Sequence, residues 1–536
     1  MSVETTFIVL FVIAMAVAMG VRRLRLPYTA GLVLAGLLLG IAHLFQAPEF
    51  NKTLLFSVFL PGLIFEAAFH IDFQDLWRNR ITISSLAVPG VIASTVLIAV
   101  ALAPLVDALG IQHGFTWRDA LVFGALISAT DPVAVVSVFR KFGIPHRLSL
   151  LIEGESLLND GTGIVFFTLS LGIFSGTVIS PGAIALQFVS IVGMGAIIGV
   201  ALGFAVSLVL RTVDDPMIEV SLTTIAAYGS FVAAESLGYS GVIATVAAGL
   251  LCGNYGARSG MSASTRVAAE TFWDFMAFAL NSLVFLLIGL EISVRDLLTA
   301  WMAIIAAYLI VNVVRGVVIH IAWRLIGLTR ERFPWQWEMV LIWGGLRGAL
   351  PMVLALAVPP NFPFRQEVIA MTFGVVTLTI LLQGMTMLPL LRRLGIVVID
   401  AGQRAYDLRR AELQTAIAGL EELNRLEALH SFAPGALEKL RAEYEQRLAQ
   451  IRDRLGKLTD EVGHVQDREI YQARQHLLLV EKTRVVDAFN QGLLAPSVHQ
   501  QLLADIDARI LQLQSNTPEE KPEPRQEDAR QPRPPP

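Results

Sequence analysis

Residues 128–136 read SATDPVAVV and residues 341–356 read LIWGGLRGALPMVLAL. Both lie in stretches apolar enough to cross a bilayer, and both carry what a membrane helix avoids. In the first, Asp131 is followed by Pro132; in the second, Arg347 stands among Gly344, Gly345, Gly348 and Pro351. Proline lacks an N–H and clashes with the preceding turn, so a helix passing through ATDP breaks there. The glycine-flanked arginine predicts a second break. Broken helices leave backbone carbonyls and half-helix ends at membrane depth, where they can coordinate cations. The alternative is a helix that starts at TDP with Asp131 as its cap, but apolar residues continue on both sides far enough to keep Asp131 inside the span.

The rest of the chain agrees with a membrane setting. Of 536 residues, 54% are hydrophobic and 16% charged, with a mean hydropathy of +0.61; soluble domains carry roughly 25% charge. The composition predicts an all-α polytopic membrane protein. Apolar runs of about 20 residues fall near 3–21, 26–45, 51–70, 81–104, 117–139, 150–175, 181–210, 217–236, 240–253, 270–291, 298–325, 336–358 and 366–391, about thirteen spans. Loops after odd-numbered spans hold residues such as Arg22, Arg78, Arg140, Arg211, Arg330 and Arg392, and loops after even-numbered spans hold Lys52, Arg118, Arg295 and Arg365. The imbalance, roughly sixteen basic residues to four, places the amino terminus outside and the carboxyl terminus in the cytoplasm of a plasma (inner) membrane. Glu4 precedes the first apolar run and Arg22, Arg23 and Arg25 follow it, the reverse of a secretory signal, so a retained anchor is expected. A net charge of −4 from 41 basic and 45 acidic residues points to no nucleic-acid partner. The single Cys252 excludes a disulfide within the chain and a cysteine-based metal site.

Residues 1–400 are thus expected to form the membrane domain. Residues 401–514 turn to charged, leucine-bearing helix and predict a cytoplasmic α-helical domain. There Leu437, Leu440, Tyr444, Leu448, Ile451, Leu455 and Leu458 fit either a short coiled-coil seam or a packed hairpin. The hairpin is the expectation, because about two heptads do not make a coiled coil. Residues 515–536 are proline-rich and charged and are expected to be disordered. Nothing in the cytoplasmic domain decides between sensing pH, binding a regulator and reinforcing a dimer.

The two interruptions fall in the fifth and twelfth spans. Inverted six-helix repeats would place them so, with the substrate site between the unwound segments. The sixth span contains EGESLLNDGTGIVFF, residues 153–167. Ser156 and Asp160 are i and i+4, with Asn159 at i+3, so one helix face carries hydroxyl, amide and carboxylate oxygens. Opposite Thr130 and Asp131, that face suits a hard cation. Glu155 points about 100° away and needs a cationic partner of its own, for which Arg347 is the first candidate and Arg315 of VNVVRGVVIH the second. Glu66, in LPGLIFEAAFHID of the third span, is a further intramembrane carboxylate, preceded by Pro61. His70, one turn on, reads as an interfacial residue.

The segments ATDPVAVVSVF, EGESLLND, FLLIGLEI and WGGLRGA resemble those of monovalent cation:proton antiporters of the NhaP and Na⁺/H⁺ exchanger type, over roughly residues 1 to 400. The resemblance implies a homodimer in membrane lipid, a core of two crossed broken helices, and elevator-like exchange of Na⁺, in some members Li⁺ or K⁺, for H⁺. It implies Asp160 as the carboxylate that binds cation and proton, with Asp131, Thr130, Ser156, Asn159 and Glu66 completing or supporting the site. Na⁺ would then sit at Asp160, Asp131, Ser156 and Thr130, and Glu155 and Arg347 would form a stabilising ion pair. The family's basic residue before the proline of the QGMT segment is Leu388 here, so any role of that residue does not carry over.

Exchange is then expected from competition of Na⁺ and H⁺ for one carboxylate, serving pH and Na⁺ homeostasis. With Asn159 in place of a second acid, one proton would move per Na⁺. A cation channel using the same carboxylates is the nearer rival, and paired broken helices favour alternating access over it. An intramembrane aspartyl protease built on Asp131 and Asp160 would need a GxGD segment, which is absent. Neither an enzyme nor a cofactor is expected.

Overall fold

The computed structural model describes residues 3–24, 28–42, 55–108, 114–176, 180–213, 215–257, 261, 263–329, 331–397, 401–428 and 434–461, with scattered residues between 470 and 509. The tail expected to be disordered, and Lys52 and Arg330 of the charge count, lie outside them. Every regular element among the described residues is helical. The chain divides into two compact units, Met1–Val397 and Val398–Pro536.

In the first unit the helices longer than eight residues are α1 (Val3–Leu24), α2 (Tyr28–Ile41), α3 (Leu60–His70), α4 (Arg80–Ala108), the half-helices α5 (Trp117–Ile127) and α6 (Val133–Phe142), α7 (His146–Phe174), α8 (Pro181–Leu210), α9 (Pro216–Ser236), α10 (Gly241–Leu251), α11 (Ala263–Glu291), α12 (Trp301–Ile326), the half-helices α13 (Trp335–Trp343) and α14 (Ala349–Ala357), and α15 (Arg365–Arg393). Among the described residues seven helices are long and apolar enough to cross a membrane, and four shorter apolar helices accompany them. The sequence places the ends of α7, α8 and α9 to within a few residues. It does not show the π-turns at Leu55–Phe59, Leu86–Gly90, Cys252–Gly256 and Thr379–Gln383.

Packing sorts these helices into two bundles. One joins α1, α2, α3, α8, α9, α10 and α11; the other joins α4 to α7 with α12 to α15. Small residues let the first bundle close. Gly195, Gly199 and Gly203 recur every four residues along α8 and face Ser240, Ala244 and Ala248, which recur at the same spacing on and before α10. A Cβ at Gly199 would run into the Ala244 backbone. With lipid as apolar as the side chains, such backbone-to-backbone contact supplies the van der Waals attraction that joins membrane helices.

The second bundle is tied at one end by charge. Arg147, at the start of α7, donates from Nε to Asn79 Oδ1 (2.8 Å) and from its terminal nitrogens to the carbonyls of Glu331 (2.6 Å) and Arg332 (3.2 Å). The buried Glu331 carboxylate accepts from the Ile81 and Thr82 N–H groups at 3.2 and 2.8 Å, capping the first turn of α4. An anion there satisfies orphan donors and meets the positive end of the helix dipole.

In the second unit α16 (Ala401–Ala428) packs against α17 (Pro434–Glu461). Ala416, Leu448 and Ile451 form their buried contact, with Leu413 and Leu420 beside it, while Leu440 is exposed. The side chains of Leu455 and Leu458 lie outside the described residues.

The α8 seam gives a direct test. Gly199→Leu should lower the melting temperature of the detergent-solubilised protein, since overpacking costs about 1–3 kcal/mol. Gly193→Leu, where a Cβ meets nothing within 4 Å, should leave it unchanged.

Candidate ion site

The helix entering the first interruption is firmly started: Thr116 and Asp119 form a capping box, with Asp119 Oδ2 accepting from the Thr116 N–H at 2.8 Å and from its hydroxyl at 2.6 Å. The helix stops at Ile127, and after Pro132 the chain resumes as α6. Asp131 Oδ1 accepts from the Val133 N–H at 2.9 Å, so one of its oxygens does cap the second half-helix. Apolar residues flank the break on both sides, so capping by Asp131 and an apolar run through the break coexist.

The second interruption, Gly344 to Gly348, lies directly against the first. Asp131 N donates to Leu346 O at 2.8 Å. The fully buried Arg347 donates from Nη1 to the carbonyls of Ser128 (2.9 Å) and Ala129 (3.1 Å), and its own N–H is held by Thr379 Oγ1 at 3.2 Å. Two glycines make this possible: a Cβ on Gly348 would strike the Asp131 carboxylate, and one on Gly345 would strike the Arg315 guanidinium.

From α7, Ser156 Oγ donates to Thr130 O at 2.5 Å, Asn159 Nδ2 donates to Thr130 Oγ1 at 2.7 Å, and Thr130 N donates to Asn159 Oδ1 at 3.3 Å. Thr130, Ser156 and Asn159 are all buried. The carbonyls of residues 128, 129 and 130 therefore all accept from side chains, in place of the free coordinating carbonyls the sequence suggested. What this lattice leaves is carboxylate. Asp160 is partly exposed, accepts no hydrogen bond from any described residue, and lies close enough to Asp131 for the two charges to repel. The structure thus brings together Thr130, Asp131, Ser156, Asn159 and Asp160.

Glu155 pairs differently from the first expectation. Arg315, on α12, grips it with both terminal nitrogens, at 2.7 and 3.1 Å, and also donates to Leu341 O at 2.8 Å. Arg347 is not its hydrogen-bonded partner, because the extended backbone around Gly348 turns that guanidinium toward the carbonyls of α5's end. The second candidate was the partner. A small polar cavity lined by Ser94, Ser128, Glu155, Asn159 and Arg315 joins the two networks.

Glu66 belongs to a second group of ionisable side chains. Its carboxylate lies 3.3 Å from His70 Nδ1, and His70 Nε2 lies 3.7 Å from Asp274 of α11. His70 is therefore a member of a cluster of ionisable groups, a grouping that its reading as an interfacial residue did not show.

Several supporting groups escaped sequence reasoning. Thr162 Oγ1 donates to Ala87 O at 2.7 Å, where the π-turn around Pro89 interrupts the regular ladder. Thr379 meets Arg347 from another π-turn, and Gln383 of that turn bonds Asn312. Only Pro89 left a trace in the sequence.

Two broken helices crossed over an unpaired intramembrane carboxylate define a membrane carrier and not an enzyme. The family described as "Sodium/hydrogen exchanger, transmembrane" matches residues 7–393, and the chain belongs to that family of secondary transporters. It is 38% identical over 423 residues to the Na⁺/H⁺ antiporter ApNhaP of Aphanothece halophytica, covering 76% of this chain and 80% of the relative. It is 32% identical over 530 residues to the Na⁺/H⁺ antiporter NhaG of Bacillus atrophaeus, covering 96% and 98%. The fold is similar to that of the sodium proton antiporter MjNhaP1 of Methanocaldococcus jannaschii, with a TM-score of 0.61 at 19% identity over 73% of this chain and 98% of that one.

The pairing of Glu155 has a measurable consequence. Arg315→Met strands a buried carboxylate, a loss of about 3–5 kcal/mol, and should markedly lower the melting temperature. Adding Glu155→Leu should recover most of that loss. The same cycle between Glu155 and Arg347 should show much weaker recovery, because Arg347→Met instead frees the carbonyls of Ser128 and Ala129.

Proposed function

We propose that this chain is an antiporter exchanging Na⁺ for H⁺, with the two ions competing for Asp160. The observation that carries the reading is the Asp160 carboxylate itself: accessible, without a hydrogen bond from any described residue, beside Asp131, on a helix whose neighbouring polar groups are all engaged. A carboxylate with no fixed donor can take either a proton or a cation, and binding one removes the charge that attracts the other. Nothing else is needed to couple the two flows once the site opens alternately to each side. The names of the relatives support sodium as the cation, with Li⁺ or K⁺ as alternatives the same oxygen set accommodates.

The half-helix pairs α5/α6 and α13/α14 are read as the equivalent interruptions of two inverted repeats in a thirteen-span protein. The amino terminus lies outside, the carboxyl terminus lies in the cytoplasm, and the protein works in the plasma membrane as a homodimer surrounded by lipid. Asn159 contributes an amide where a second acid would add a charge, so one proton moves per Na⁺ and the cycle is electroneutral. Thr130, Ser156 and Asn159 shape the site, and Na⁺ contacts Asp160 with help from Asp131.

In everted vesicles, adding Na⁺ should dequench acridine orange with the natural protein and fail to do so with Asp160→Asn; retained dequenching would refute the assignment of Asp160. On a solid-supported membrane, a Na⁺ step should give no sustained charge movement at any pH. A current that reverses with the Na⁺ gradient would overturn the one-for-one exchange.

A further inference from the structure

We propose that Glu66, His70 and Asp274 form a site for a divalent cation of the Zn²⁺, Ni²⁺ or Co²⁺ class, and that filling it arrests exchange. One donor atom from each of the three residues lies within 4.8 Å of the others. His70 Nδ1 lies 3.0 Å from the main-chain carbonyl of Glu66 as well as 3.3 Å from its carboxylate, while Nε2 lies 3.7 Å from Asp274 Oδ1. A ring nitrogen that donates its proton to a carbonyl fixes the tautomer and leaves the other nitrogen with its lone pair, the arrangement that orients metal-binding histidines. Nε2 is then the ligand atom, on the side of Asp274. Contacts of about 2.0–2.2 Å around a tetrahedral ion set donors roughly 3.3–3.6 Å apart. Nε2 and Asp274 already stand near that spacing, and turning the Glu66 carboxylate from the Nδ1 edge of the ring toward Nε2, across the 4.8 Å that bounds the three donors, completes the set and leaves a fourth position for water.

The frame beneath the site is rigid. Trp273, fully buried, packs its ring 4.6 Å from that of Phe65 and donates from Nε1 to Thr223 Oγ1 at 3.1 Å. This contact clamps α11 to α3 one residue before Asp274 and one before Glu66, so it sets the register of both carboxylates. The His70 side chain is 25% exposed and that of Asp274 59% exposed, and one turn before Asp274 α11 carries the exposed Arg266–Glu270 ion pair. Ionisable tips in a membrane helix point to water or to partners, not to lipid, so an aqueous route reaches the cluster. One imidazole with two carboxylates selects a borderline-soft divalent ion over Na⁺ or Mg²⁺.

The arrest follows from Glu66. The family resemblance makes that carboxylate a supporter of the transported ion, and a divalent ion would take it and add positive charge beside the path. This half of the proposal rests on the exchange reading; the binding half does not.

The test uses the full-length chain without a polyhistidine tag, stripped of metal in detergent and titrated calorimetrically with Zn²⁺ and separately with Mg²⁺. The same preparations in proteoliposomes are then assayed for Na⁺-driven proton flux. The expected result is saturable binding of a single Zn²⁺ equivalent per chain, indifferent to Mg²⁺, weakened about tenfold or more in His70→Gln and in Asp274→Asn. Both variants should keep their metal-free flux and lose sensitivity to Zn²⁺ over the same concentration range. Absence of saturable Zn²⁺ binding, or binding unchanged in both variants, would overturn the site. Binding without loss of flux would overturn the arrest, and liposomes with no flux before metal is added would refute the exchange reading while leaving the calorimetric result to stand.

Discussion

The contact on which the rest depends is that of Arg347 with the carbonyls of Ser128 and Ala129. A helix that stops inside a membrane leaves carbonyls without partners and concentrates the negative end of its dipole there. In hydrocarbon each such group is costly unless something donates to it. A buried guanidinium answers both problems at once. Each interruption is thus what makes the other tolerable. The exchange of a backbone hydrogen bond between Asp131 and Leu346 makes the two broken helices one structural object.

Around that object the polar groups divide by task. Thr130, Ser156 and Asn159 spend their hydrogen bonds on one another. Glu155 spends its charge on Arg315. Gly345 and Gly348 contribute by having no side chain, the first leaving room for Arg315 and the second for Asp131. What stands outside these arrangements is Asp160, with Asp131 held beside it by the Val133 N–H. Neighbours whose hydrogen bonds are committed to one another leave Asp160 without a donor among the described residues.

Much of this was legible in the sequence, because the features concerned are local. Pro132 after Asp131 and the glycines around Arg347 announce breaks through backbone chemistry that acts within a turn. The Ser156, Asn159 and Asp160 face follows from helical geometry alone. What was not legible depends on where helices lie in space. Arg347 is nearer to the motif logic of Glu155 than Arg315 is, yet the direction of a side chain leaving an unwound segment has no period to read. Asp274 is two hundred residues beyond Glu66 in sequence, and only the packing of Trp273 on Phe65 brings them level. The π-turn at Leu86–Gly90 depends on space in another way: the Ala87 carbonyl accepts from Thr162 across the bundle.

Arg147 with Asn79 and Glu331 joins the starts of α4 and α7 to the segment before α13, while Arg347 joins the second interruption to the first and to α15. A joint with one fastener can pivot about it. With two, separated along the axis, the halves carrying α4 to α7 and α12 to α15 lose that freedom and behave as a block. The exchange reading, which needs the aspartates opened to one side and then the other, would on this geometry move the block as one along the seam with the neighbouring bundle, where the described core contacts are apolar.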